Sequence, residues 1–257
     1  MIRLMKADLY RLSRTKSVYI ALLILAVMFL YSTLTGKFSS IGIVTENGNR
    51  NSTLPHENLD FISSLQYFTL NASSLILGYI IYFIQVFSKE FGNRTFKNIL
   101  MAGTSRTKYI FSKFLTLLIL VLSTTIFYYL MNAGVAYFYY EDSSSIPTGF
   151  LSSTAVFIVG LTLCIMVYFI IASLLQILFN STIAATLFIG LGPVVVQFLQ
   201  IMQEWEWLKY VDYLSITQAF GLGLIKGKEL LPYIYVNGTI IVILILLNIW
   251  LLKKKEF

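Results

Sequence analysis

Charge is scarce in this chain. Only 12% of the 257 residues are Asp, Glu, Lys or Arg, while 57% are hydrophobic and the mean hydropathy is +0.77. A soluble domain carries about a quarter charged residues, so the shortage points to a polytopic membrane protein. The length allows a single membrane domain over 1–257 and excludes a large soluble one. There is one cysteine, Cys164, set in an apolar run, which excludes a disulfide scaffold and a cysteine zinc site. The one histidine, His56, stands beside Glu57 in a polar stretch and reads as solvated rather than as a metal ligand or proton relay.

A helical span needs about 20 apolar residues. Six such stretches lie at 17–35, 65–88, 112–139, 150–179, 181–203 and 233–252, and Lys113 is the one Asp, Glu, Lys, Arg or His inside any of them. The fold class expected is all-α with six transmembrane helices. Asn180 and its neighbours would make a tight turn between the fourth and fifth. Six spans put both termini on one side, and basic residues choose that side. Of the 19 basic residues 14 lie in the N-terminal segment, the loop after the second span and the C-terminus, together with only three of the 12 acidic ones, Asp8, Glu90 and Glu256. Both termini are therefore expected in the cytoplasm, and the net charge of +7 reflects this asymmetry rather than nucleic-acid binding. The apolar run from Val18 to Leu34 is longer than a signal-peptide core and lacks a clean cleavage site, so it reads as a first span.

Three segments outside the spans stand out. Residues 1–16 form an amphipathic pattern, with Ile2, Met5, Leu9 and Leu12 in one stripe and Arg3, Arg11 and Arg14 opposite, as expected for a helix in the headgroup layer that turns into the first span. Residues 36–64 form a polar outer loop with a glycosylation-like Asn51-Ser52-Thr53. Residues 204–232 interleave charge with Trp205, Trp207, Tyr210 and Tyr213, which suits either an interfacial aromatic belt or an outer gate over a substrate path.

Chemistry is absent from the rest. Gly221-x-Gly223-x-x-x-Gly227-Lys228 has the wrong gap for a phosphate loop, has Glu229 where Ser or Thr should bind magnesium, and follows no strand. The chain carries no catalytic, cofactor or metal constellation and is not expected to be an enzyme. The spans offer amides such as Gln85, Gln176, Asn237 and Asn248, which can pair helices but cannot relay protons. Energy for transport must then come from another protein, unless the chain is a channel, an ion-driven secondary transporter or a scaffold.

The loop over 89–108 is where a partner would act. A helix from about Arg94 to Leu100 groups Phe96, Ile99 and Leu100, with Arg94 and Lys97 on a neighbouring face. Gly103 can stop it, and Thr104 or Ser105 can cap the next helix. Apolar knobs with basic flanks suit a groove in a soluble protein.

At this point the sequence resembles the permease subunits of type-2 ABC exporters. In that family the second span ends in an acidic residue, followed by an Asn/Gly-Thr step, a Lys-Asn-Leu-like helix, a Ser-Arg pair and a Lys entering the next span. Here these are Glu90, Asn93-Arg94-Thr95, Lys97-Asn98-Ile99-Leu100, Ser105-Arg106 and Lys113. Arg94 replaces a usually small residue, and Thr104 replaces a frequent Pro. The resemblance implies a half-transporter in a bacterial plasma membrane that pairs with itself or a related permease. It also implies ATP and magnesium on a separate ATP-binding protein, which grips the coupling helix and its surroundings (Glu90, Arg94, Phe96, Lys97, Ile99, Leu100, Arg106). Size and short outer loops are most similar to permeases for lantibiotic immunity, bacitracin resistance or cytolytic peptides, which implies an amphipathic peptide cargo; another hydrophobic drug or a lipid-like substrate stays open.

Overall fold

The computed structural model describes residues 2–35, 61–93, 95–139, 148–203, 205–225 and 227–254. Most of the expected outer loop, with His56 and the Asn51 sequon, lies outside the described residues, and so does Arg94. Among the described residues every regular element is helical. The chain runs α1 (Ile2–Ser13), α2 (Lys16–Thr35), α3 (Phe61–Asn71), α4 (Leu75–Phe83), a π turn (Ile84–Ser88), α5 (Lys89–Gly92) and α6 (Thr95–Met101). It continues through α7 (Arg106–Tyr139), α8 (Thr148–Phe179), α9 (Thr182–Gln203), α10 (Tyr213–Gly221) and α11 (Leu231–Lys254).

Five stretches among the described residues are long and apolar enough to cross a membrane: Phe68–Gly92, Arg106–Val135, Gly149–Phe179, Thr182–Gln203 and Gly227–Lys254. They cover the second to sixth expected spans. The 20-residue α2 covers the first, 17–35, and at 1.5 Å per residue is about 30 Å long. Helix α3 starts at Phe61, earlier than the expected polar loop allows, because Phe61 and Ile62 continue the apolar pattern. The turn at Asn180 takes φ +52°, a left-handed conformation that Asn tolerates better than most residues, and it lets α8 reverse into α9 within two residues.

Two spans form the centre. The most apolar windows of Phe68–Gly92 and Gly149–Phe179 are 72% and 67% buried, against 17% for the last span. Helix α8 packs along α11, α9 and α7, and the contact is pinned by polar side chains as well as by apolar ones. Ser173 donates to Asn248 Oδ1 at 2.9 Å, and Asn248 Nδ2 donates to the Ile170 carbonyl at 3.3 Å. Thus the span amides do pair helices. In a medium without water such a bond contributes of order 0.6 kcal/mol.

Candidate functional site

The two groups at the basic end that sequence motifs single out, Glu90 and Lys113, meet in one buried cluster. Lys113 Nζ donates to Glu90 Oε1 at 2.7 Å and to both Asp8 carboxylate oxygens at 2.8 Å. Arg11 donates to Glu90 Oε1 at 2.8 Å, and the Tyr109 hydroxyl takes the other oxygen, Oε2, at 2.8 Å. Two cations face two carboxylates, so the cluster is neutral, and Asp8, Glu90 and Lys113 are all buried. Burial pushes the Asp8 carboxyl above its ordinary value of 3.8, while Lys113 opposes the shift.

The elements that build this knot are joined by it. Asp8 and Leu12, one turn apart, form the buried face of α1. Arg11 stays exposed on the polar side, as the helical stripe implied, yet its guanidinium reaches across to Glu90 and donates its second nitrogen to the Gln85 carbonyl at 2.8 Å. That carbonyl lies in the π turn, where the backbone bond from Lys89 N runs back five residues to Ile84 O. On the other side of the same turn, Gln176 of α8 donates to the Ser88 carbonyl at 3.0 Å and accepts from the Ser88 hydroxyl at 2.7 Å. Such π turns recur at functional positions, and this one is clamped from both sides. α1, the end of the second span, the start of α7 and α8 are therefore one mechanical unit.

Helix α6 hangs directly on that unit. It ends as expected at Gly103, with φ +86°, and Ser105 Oγ accepts the Lys108 N–H at 3.4 Å at the start of α7. Its apolar face is as grouped in the sequence, but it turns inward. Phe96 is 2% exposed and stacks on Phe91 at 4.5 Å, which stacks in turn on Phe87 at 4.7 Å. Ile99 and Leu100 pack against the same core. In this chain taken by itself Phe96 therefore fills the core instead of standing out from α6. The outward arc holds Thr95, Asn98, Met101 and Ala102, with Met101 78% exposed. Lys97 sits half-buried between the two faces. Arg106 turns away from α6 and caps the end of α11, donating to the Leu252 and Lys253 carbonyls at 2.7 and 2.9 Å.

At the opposite end the aromatic segment divides in two. Trp205 and Trp207 are exposed and stack at 6.0 Å. Tyr210 packs edge-on against Tyr233 at 5.2 Å, and its carbonyl accepts from Asn237 of α11 at 2.7 Å. Tyr213 is wholly buried and donates to the Ala72 carbonyl. Of the four expected gate residues, the tryptophans form a surface, Tyr210 is half-buried against the core and Tyr213 lies within it. Gly221 of α10 lies against Leu70 and the Gln66 carbonyl of α3, so closely that any Cβ there would meet Leu70 at 2.7 Å.

Asp212, with no counterpart among the expected site residues, fixes this segment. It is the N-cap of α10, accepting from Leu214 N at 2.9 Å and Ser215 N at 3.1 Å. The signal was present in Asp212-Tyr-Leu-Ser, an N-cap residue before an apolar run. Burial pushes its pKa up, with the Ser215 and Leu214 hydrogen bonds opposing. A raised value means the folded state holds the proton more tightly. The stabilising contribution is full below the ordinary 3.8 and is lost as pH rises through the raised value. Asp212→Asn, which still caps, is expected to flatten this acid-side slope in thermal unfolding. Asp212→Ala is expected to cost about 1–2 kcal/mol at any pH. Equal melting of Asn and Ala variants would contradict the cap.

Among the described residues no group of three or more His, Cys, Asp and Glu could hold a metal ion. A search of curated protein sequences finds no match. The model of the ABC-2 family transporter proteins, by contrast, matches residues 4–196, from α1 and its Asp8 through the π turn, α6 and α7 to most of α9. The clamped junction of α1, Glu90 and Lys113 lies wholly within the matched residues, which span more than half of the chain, and the chain belongs to the ABC-2 family of transporter proteins.

Proposed function

We propose that this chain is the membrane-spanning permease of an ATP-driven exporter, with α2 as a sixth span, both termini in the cytoplasm of a bacterial cell and α1 lying along the inner surface. Membership of the family implies a partner ATP-binding protein. ATP and magnesium are held by that partner, and a second copy of the chain or a related permease completes the path. The cargo is an amphipathic peptide of the antimicrobial or cytolytic kind.

One observation carries the coupling: α6 is anchored through Phe96, Phe91 and Phe87 to a junction that also holds α1, α7 and α8. A force applied to α6 from the cytoplasm therefore cannot stay local, because packed interiors respond by shifting whole elements. The exposed Trp205–Trp207 pair is the outer surface over which the cargo would leave.

The test uses inside-out vesicles bearing the chain and its co-purified ATP-binding protein. Uptake of a fluorescent cationic amphipathic peptide is expected with ATP and not with a non-hydrolysable analogue. Uptake that follows an ion gradient without ATP would sink the reading in favour of a secondary transporter or channel.

A further inference from the structure

A crevice of about 510 Å³ opens beside the junction, walled by α1, α2, α4 and α7. That is the size range of a small-molecule site. Its walls include Leu12, Val18, Leu22, Leu75, Leu120 and Phe127, and among the described lining residues there is not one charged or amide side chain. The hydroxyls that reach it are already engaged. Tyr82 pairs with Thr124 at 3.0 Å, Ser123 donates to the Leu120 carbonyl at 3.0 Å, and Ser13 donates to the Tyr10 carbonyl at 2.8 Å. A peptide segment would bring backbone N–H and C=O groups that find no partner there, at a cost of several kcal/mol each. A hydrocarbon chain brings none.

The length also fits a chain rather than a compact ligand. From Leu120 to Met131 the crevice follows α7 for roughly 16 Å at 1.5 Å per residue. One leaflet of bilayer hydrocarbon is about 15 Å, half of the full core. Near its Ser13 end the α1–α2 corner presents two exposed cations, Arg14 and Lys16, with the Arg14 guanidinium 5.2 Å from the Tyr10 ring centre. A cationic corner beside an apolar slot matches a phosphate head and its acyl chain.

We propose that this crevice is a lipid site that holds one acyl chain of an anionic phospholipid, with its phosphate at Arg14 and Lys16. A basic residue at the surface contributes about 1 kcal/mol toward an anionic head, so each gives roughly a fivefold preference over a zwitterionic lipid. The assignment does not depend on what the chain transports.

The full chain, purified in mild detergent, is titrated with dioleoyl phosphatidylglycerol or dioleoyl phosphatidylcholine and examined by native mass spectrometry. One phosphatidylglycerol per chain is expected to survive activation that strips phosphatidylcholine. Ala26→Phe and Ser123→Phe, which fill the slot from opposite walls, are expected to weaken retention at least tenfold. Arg14→Gln, on the surface and harmless to packing, is expected to reduce the preference about fivefold. Equal retention of the two lipids, or undiminished retention in both filled variants, overturns the site. So does displacement of phosphatidylglycerol by a stoichiometric amphipathic peptide, which would make the crevice a cargo pocket.

Discussion

Lys113→Met is expected to lower the stability of the protein by about 3–5 kcal/mol, the cost of stranding a buried charge. The loss falls on Asp8. Glu90 keeps Arg11 and Tyr109 as donors, whereas both Asp8 oxygens depend on the Lys113 ammonium, with Arg11 no closer than 3.6 Å. Two consequences distinguish this from a simple packing defect. Adding Asp8→Asn to Lys113→Met is expected to recover most of the loss, because what remains is the neutral Arg11–Glu90 pair. Lowering the pH toward 4 is expected to shrink the penalty of the single variant, because a protonated Asp8 has no charge to strand. Its pKa already lies above the ordinary value, so protonation comes early on the acid side. Thermal unfolding in detergent across that pH range reads both. A single variant that melts with the wild type, or a double variant as unstable as the single, would remove the cluster from its structural role.

Asp8 shows where sequence reasoning stopped. Five of the spans, the Asn180 turn, the Gly103 stop and the Ser105 cap were legible because each depends on local signals: hydropathy over 20 residues, or one residue's backbone preference. The pairing of Asp8 with Lys113 spans 105 positions, and no periodicity encodes it. A clue existed nonetheless. Lys113 is the single Asp, Glu, Lys, Arg or His in any expected span, such a group requires a partner, and Asp8, Glu90 and Glu256 were the three acids on its side. The direction of the apolar face of α6 was not legible for a different reason. A short amphipathic helix reads the same whether it buries its face in its own chain or offers it to another, and the three-ring stack from Phe87 through Phe91 to Phe96 decides for the former. The same ambiguity split the outer aromatics. Tryptophan and tyrosine both suit an interface, but only Tyr213 has an acceptor waiting inside, the Ala72 carbonyl.

Met101→Asp is expected to abolish stimulation of the partner ATPase while leaving the fold intact. With Phe96 buried, an ATP-binding subunit that docks on α6 must meet the arc of Thr95, Asn98, Met101 and Ala102, in which Met101 is the one large apolar group. A central apolar anchor in an interface is worth 2 kcal/mol or more, so binding is expected to weaken about thirtyfold. Phe96→Ala makes the opposite pattern. It removes a ring from the stack at a cost of about 3–5 kcal/mol, so the permease itself should melt early and partner capture should fail only through unfolding. Melting temperature and ATPase stimulation measured on the two variants separate the faces. If Phe96→Ala keeps its stability but loses the partner, and Met101→Asp loses neither, the helix must rotate on docking to present its inner face. The anchoring of α6 to the Glu90–Lys113 junction would then be a feature of the free permease alone, and the coupling force would have to break that anchor before it could move α1.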